Sequence, residues 1–339
     1  MRVLITGGAG FIGVNSAYYF AKKGNKVTIL DNLSRVGSSK NLEWIQSKCN
    51  VRFFQGDVRR LIDLIDIFRN YGKFDLILHL AGQVAVTTSV SNPHDDFEIN
   101  AFGTFNLLEA MRRYNSDAAL IYASTNKVYG EMEDLDIIER NGRYIYGKLN
   151  DGVDENRNLD FHSPYGCSKG AADQYCRDYH RIYGLKTIVL RQSCIYGYRQ
   201  FGIEDQGWVA WFCIAAVLGR PITIYGNGKQ IRDVLFIDDL IKAFELAYQN
   251  RDKAAGQIFN IGGGPQNTMS LHELLDYLEE QKGGKIQVSY DHWRPGDQKV
   301  FVGNIAKAQR ELGWQPSIKP AQGVEKLYQW VCENSDLFR

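Results

Sequence analysis

The first thirty-one residues carry the pattern that most constrains the fold of this chain. An apolar run at 2–6 leads into Thr6-Gly7-Gly8-Ala9-Gly10-Phe11-Ile12-Gly13, a helical pattern follows, and the next run, KVTILD, ends on Asp31. Strand, glycine turn, helix, strand and terminal acid in this order predict a βαβ unit with a right-handed crossover. Gly7 permits the tight turn, Gly10 lets the backbone approach a pyrophosphate, and Gly13 lets the helix pack close to the sheet. The helix that follows offers free N–H groups and a positive dipole end to the same phosphates. A carboxylate at Asp31 accepts both hydroxyls of an adenosine ribose and repels a 2′-phosphate, which favours NAD over NADP. Arg35 in the next loop argues the other way, since a guanidinium there can pair a phosphate. Asp57, in QGDV after the third strand pattern, is placed to meet the adenine ring.

Apolar runs recur at 51–54, 75–80, 118–123, 186–190 and 257–261, with helical patterns between them. They are near-continuous rather than alternating, as parallel strands covered on both faces require. The expected fold is α/β, a doubly wound parallel sheet with a smaller, mostly α lobe. The expected division assigns 1–190 plus 233–261 to dinucleotide binding and 191–232 plus 262–339 to the lobe. A helix and a strand, 234–250 and then 257–261, are expected to return to the first part. Trp208, Trp211 and Phe212 have helical spacing that favours packing against a neighbouring lobe or subunit over ligand contact. Ser270 and Glu273 form a capping-box pattern that starts a helix. The polar insert 131–160 reads as a surface excursion, with a lid as the alternative.

The 339 residues carry a formal net charge of +1, which leaves no global field to draw nucleic acid or anionic lipid. No signal-peptide pattern or membrane-length apolar run is seen, and the six cysteines form no CxxC pair. A cytoplasmic protein with incidental thiols is expected, with no metal, because the histidines form no ligand pattern.

Tyr165 and Lys169 in HSPYGCSKG lie one helical turn apart. A nearby ammonium favours a phenolate, so such a tyrosine can exchange a proton with a sugar hydroxyl while hydride moves to or from nicotinamide. Tyr18/Lys22, Tyr19/Lys23, Tyr144/Lys148 and Tyr225/Lys229 share the spacing. Only Tyr165 follows a strand ending in Ser-Thr and begins a long amphipathic pattern. Thr125 ends that strand, where doubly wound folds place their sites, and its hydroxyl can donate to a substrate oxygen. Asn126 and Lys127, which follow, have no evident partner.

With GxxGxxG, Asp31, Asp57, LAGQ (80–83), NAFGT (100–104), STxxVYG and YxxxK in order, the chain resembles the extended short-chain dehydrogenase/reductase superfamily. Within it, DNLSRVGSSKNL, GQVAVTTSV, STNKVYG, YRQFGIEDQGWVAWF and GNGKQIRDVL resemble the CDP-paratose 2-epimerase family. That resemblance implies an isomerase that uses tightly held NAD to invert C2 of a CDP-linked sugar, CDP-paratose to CDP-tyvelose. It implies catalytic roles for Thr125, Tyr165 and Lys169, and a cofactor shell of Gly7, Gly10, Phe11, Ile12, Gly13, Asp31, Asn32, Ser34, Arg35, Asp57, Val58, Leu80, Ala81, Gln83 and Asn100, with Tyr165 and Lys169. It places Thr87, Thr88, Thr125, Arg199, Gln206, Arg232 and Arg294 at the substrate, the last two suited to a diphosphate. A homo-oligomer, dimer or tetramer, is expected. The rivals are a 4-epimerase, a 4,6-dehydratase, whose relatives carry Asp-Glu where this chain has Asn126-Lys127, and a non-enzymatic NAD-binding protein.

Overall fold

The seven apolar runs become seven parallel strands of one central sheet. In the computed structural model, which describes residues 1–339 except Pro295, these are β1 (Arg2–Thr6), β2 (Lys26–Asp31), β3 (Arg52–Gln55), β4 (Leu76–His79), β5 (Ala119–Thr125), β6 (Lys186–Gln192) and β7 (Ile258–Ile261). Their spatial order is β7-β6-β5-β4-β1-β2-β3, every neighbouring pair parallel. The chain reverses its winding between β1 and β4, and such sheets bind ligands at the carboxyl ends of the strands on either side of that point.

Both faces of the sheet are covered, which is why the strands read as unbroken apolar runs. Val3, Ile5, Val27 and Ile29 pack into one layer with helix α1 (Phe11–Lys22) and the helix Ile237–Gln249. Leu4, Leu30, Ile77 and Leu120 pack on the opposite side with Leu64, Ile67, Leu107, Met111 and Cys176. Each such side chain contributes roughly 1.5–3 kcal/mol on burial. The second layer is closed by helix α2 (Ser163–Tyr183), which carries Tyr165 and Lys169 at its N-terminal end.

The smaller part combines a sheet of Cys194–Tyr196, Ile231–Phe236, Thr268–Ser270 and Val300–Phe301 with a parallel pair, Ile222–Tyr225 and Val288–Asp291. Helices Trp208–Leu218, Leu271–Lys282 and Pro320–Glu333 pack around them. The capping box at Ser270 and Glu273 forms as expected. Residues 234–236, expected to begin a helix, are instead extended and pair with Cys194–Tyr196, so the helix starts at Ile237. The expected division at 232/233 therefore falls inside a strand.

The insert 131–160 contains an element the sequence reading missed, the hairpin Ile137–Arg140 and Arg143–Tyr146. Its turn is Asn141-Gly142, with φ of 53° and 73°, the pairing that suits the right-handed twist of a two-residue hairpin. The insert docks on the smaller part: Tyr144 N–H donates to Lys229 O at 3.0 Å and Tyr146 Oη to Val300 O at 3.1 Å. Its Met132, Tyr146 and Val153 join Ile231, Val300 and Phe301 in a third apolar cluster.

Candidate active site

The glycine turn is held from two sides. Gly7 has φ +67° and donates its N–H to Leu30 O at 2.8 Å, and a Cβ there would lie 2.7 Å from Ala81 N. A Cβ on Gly13 would lie 2.2 Å from Gly7 O, so the helix can approach the turn only without one. Gly10 differs, since a Cβ there would meet only Gly7 O, at 3.2 Å. Its crowding comes from one side, leaving the other open to a phosphate. Helix α1 has no side-chain cap and no acid in its first turn, so its N–H groups and dipole remain available to an anion.

Asp31 ends β2, where it accepts from Ala9 N at 3.0 Å and Leu33 N at 2.8 Å. Burial pushes its pKa up, against those two N–H groups. Lone pairs remain for further donors. Asn32 donates to Asp57 at 2.9 Å and accepts the N–H of Ser34. Asp57 is gripped by Arg59, Nη2 to Oδ2 at 2.8 Å. Burial acts to raise its pKa, but Arg59 and Asn32 bring it down to about 2. Val58 is buried against Gly103, and its carbonyl accepts from Asn106. Leu80 and Ala81 bind back to Thr6. These features fit a dinucleotide: an uncapped helix N-terminus behind a glycine turn, a strand-end carboxylate, and no side chain filling the space at Gly10.

Beyond β4 a buried network fixes the floor of the site. Asn100 lies in a π-helical turn, Glu98–Phe102, a distortion frequent at functional sites. It accepts from Gln83 N–H and donates to Gln83 O, Asp96 and Ser168 of α2, at 3.0–3.1 Å. Gln83 Nε2 donates to Asp96 at 2.9 Å. Asp96 and Arg59 were not singled out from the sequence, because each is an ordinary polar residue until the fold supplies its partners.

Tyr165, Thr125 and Lys169 come together at the ends of β5 and α2, all buried. Burial raises the Tyr165 phenol to about 12, while the Thr125 hydroxyl and the Arg35 charge act to lower it and Asp96 to raise it further. Lys169 is held by the backbone of β5. Its Nζ donates to Ala123 O at 2.6 Å and lies 4.3 Å from the centre of the Tyr122 ring. Burial lowers Lys169 to about 8, against the pull of Cys176, Asp96 and Asp173.

Tyr165 and Thr125 open into a cavity of about 370 Å³, which Phe11, Ile12, Thr87, Gln206, Arg232 and Arg294 also line. Arg232 Nη2 pairs with Asp297 at 2.5 Å. Arg294 stacks 3.7 Å over the Tyr225 ring and pairs with Asp205 at 3.0 Å. Gln206 Oε1 accepts from Arg35 at 2.6 Å, linking the loop after β2 to the loop before helix Trp208–Leu218.

Two residues expected at the substrate lie outside the cavity lining. Thr88 is exposed and lines no part of the cavity, because one helical step turns it away from Thr87. Arg199 also lies outside the lining, in a left-handed conformation (φ 62°) that sets its guanidinium 4.1 Å from the Trp44 ring and 5.7 Å from that of Trp330. Trp208 and Phe212 pack in the first apolar layer, as favoured, and also line the cavity.

Asn126 and Lys127 acquire partners. Asn126 Nδ2 donates to Gln298 at 3.3 Å and Lys127 Nζ to Gly296 O at 3.0 Å. They tie the strand end to segment 294–298, which carries Arg294; within it Pro295 lies outside the described residues. No residue of the insert 131–160 is among the described residues that line the cavity.

The fold and site define an NAD-dependent epimerase/dehydratase of the extended short-chain dehydrogenase/reductase type. Residues 4–327 match the family described as GDP-mannose 4,6 dehydratase, and the chain belongs to it. Among individual proteins, it is 48% identical over 336 residues to the CDP-paratose 2-epimerase of Salmonella typhi, covering 98% of this chain and 99% of that one. It superposes on the Thermus thermophilus UDP-glucose 4-epimerase complexed with NAD with a TM-score of 0.83 at 32% identity, covering 97% and 98% of the two chains. On the Streptomyces venezuelae dTDP-glucose 4,6-dehydratase with NAD and TYD bound the TM-score is 0.85 at 28% identity, covering 100% and 99%.

Proposed function

We propose that this protein is an NAD-dependent 2-epimerase of a CDP-linked hexose of the CDP-paratose type. The observation that carries the reading is the single proton-transfer pair, Thr125 and Tyr165, at a cavity bearing two arginines. The two residues after Thr125 bear no carboxylate and are tied to Gly296 and Gln298. A dehydratase needs an acid and a base there to expel water, which sets dehydration aside. The likeness to the Salmonella typhi CDP-paratose 2-epimerase supports CDP and C2 over a 4-epimerase.

Chemistry supports oxidation at C2 itself. In a 3,6-dideoxy sugar, a ketone at C4 acidifies C3 and C5 but not C2. NAD held there would supply the hydride acceptor and, once reduced, the hydride donor for C2, and its oxidised form would add positive charge to the site. The glycine turn, Asp31 and Asn32 hold the dinucleotide, with Arg35 and Asp57 beside them. Tyr165 takes the proton from O2 and later gives one back, while Thr125 donates to the same oxygen. Lys169 supports the nicotinamide ribose. Arg232 and Arg294 exchange Asp297 and Asp205 for the diphosphate, anchoring the nucleotide while the flat C2 ketone turns its other face.

The proposal keeps 1–190 plus 233–261 for the dinucleotide and 191–232 plus 262–339 for the nucleotide sugar. A cytoplasmic homo-oligomer belongs to it too, supported by exposed Phe97, Phe102, Tyr175, Ile182 and Tyr183. Sedimentation tests that assembly. The reading as a whole is tested by incubating purified protein, without added NAD, with CDP-, UDP- and dTDP-hexoses and locating the inverted carbon by NMR. Inversion at C2 of a CDP-hexose is expected; inversion at C4 or loss of water would overturn it.

A further inference from the structure

Gln192 takes no part in the reading so far, yet it ends β6 directly beside Thr125. The two are register partners on neighbouring strands, so their side chains leave the sheet on the same face, and both line the cavity. Gln192 is 7% exposed, and its buried Nε2 has no hydrogen-bond partner among the described residues. A buried amide N–H left unpaired is costly, and an apolar side chain of that size would avoid the cost.

Its neighbours do not relieve it. Ser124 Oγ donates to Asp173 at 2.8 Å, and Ser193 Oγ donates to Asp233 O at 3.0 Å. Thr87, Gln200 and Gln230, which line the same cavity, each carry a buried oxygen with no partner among the described residues: Oγ1, Oε1 and Oε1. The cavity wall thus offers a donor and several acceptors that the protein itself does not use. A polyhydroxylated ligand is the chemistry that satisfies both kinds at once.

We propose that Gln192 positions the sugar: its Nε2 donates to a hexose oxygen other than the one held by Thr125 and Tyr165, and so sets which carbon faces the hydride-transfer position. This rests on the nucleotide-sugar reading. The amide carries two N–H groups and a carbonyl, so it can hold one oxygen in the first orientation of the ring and another after the ring turns. Gln192 is a positioning residue, since the reacting oxygen belongs to Thr125 and Tyr165.

The test compares the wild-type holoenzyme with Gln192→Met, which keeps length but not hydrogen bonding, and Gln192→Glu, which keeps acceptors but not the donor. Each is titrated with CDP and with CDP-paratose, and NAD content and melting temperature are recorded. For both variants CDP affinity is expected to stay within about twofold of wild type, while CDP-paratose affinity and kcat/KM fall about tenfold or more, with NAD content unchanged. An equal loss for both ligands, or no loss for either, would overturn the assignment. Should one variant fail to retain NAD, the other carries the comparison. A wild-type enzyme that takes UDP-glucose or dTDP-glucose in place of CDP-paratose instead contradicts the CDP reading, and the same paired titrations with UDP or dTDP then decide Gln192.

Discussion

Around the glycine turn, polar groups find their partners within the protein; in the cavity beyond Tyr165, several find none. Asp31, Asp57, Asn100 and Gln83 are each held by two or more protein groups. Thr87, Gln192, Gln200 and Gln230 each carry a buried atom with no partner among the described residues, and Arg232 and Arg294 lean on nearby carboxylates. The first region is organised before any ligand arrives. The second holds several polar groups for which the described residues supply no partner. A cofactor retained through every turnover suits the first arrangement, and a sugar that must enter, turn and leave suits the second.

The largest effect is expected where the two regions meet. Tyr165→Phe should lower kcat by about 10²–10⁴-fold, the usual range for an acid–base group, with NAD content unchanged. Substantial residual turnover would remove Tyr165 from the chemistry. Next come the two glycines, which separate binding from folding. Gly13→Val should destabilise the protein by roughly 1–3 kcal/mol in denaturant melts, because its Cβ would collide with Gly7 O. Gly10→Ala should keep the fold and lose bound NAD, read as absorbance released on denaturation. A Gly10→Ala protein that retains full NAD would place the phosphates elsewhere.

Acidity distinguishes the regions more finely. Lys169, lowered to about 8 by burial, is charged below that pH and neutral above it. Since the charged form is the stronger donor to a ribose, kcat/KM should decline as pH rises through about 8, well before the Tyr165 phenol titrates. A profile flat to pH 10 would show that the charge on Lys169 is not needed. The smallest contrast is between adjacent residues: Thr87→Ala should cost severalfold in KM, and Thr88→Ala less than twofold. Equal effects would mean that lining the cavity does not mark substrate contact.

What the sequence made legible follows from how much of each feature is local. The seven strands showed because burial on both faces leaves a continuous apolar run. The glycine turn, Asp31 and the Tyr165/Lys169 spacing are fixed within one βαβ unit or one helical turn. Gln192 and Asp96 escaped notice because their meaning comes from strands and helices far away in sequence. The contacts of Arg199 were hidden for a similar reason: its partners, Trp44 and Trp330, are 155 and 131 positions distant. The hairpin in the insert was a different kind of miss. Its Asn141-Gly142 turn is a strong local signal, overlooked within a polar stretch. Asn126 and Lys127 read only as an absence until segment 294–298 was seen to lie against them.

The central claim, transient oxidation at C2, is tested most directly by following hydrogen. CDP-paratose bearing deuterium at C2 is converted in ordinary water, and the product is examined by NMR and mass spectrometry. Hydride removal and return at one carbon require that the deuterium reappear at C2 of the epimer without loss. Deuterium washed into solvent, or found at another carbon, would contradict the account.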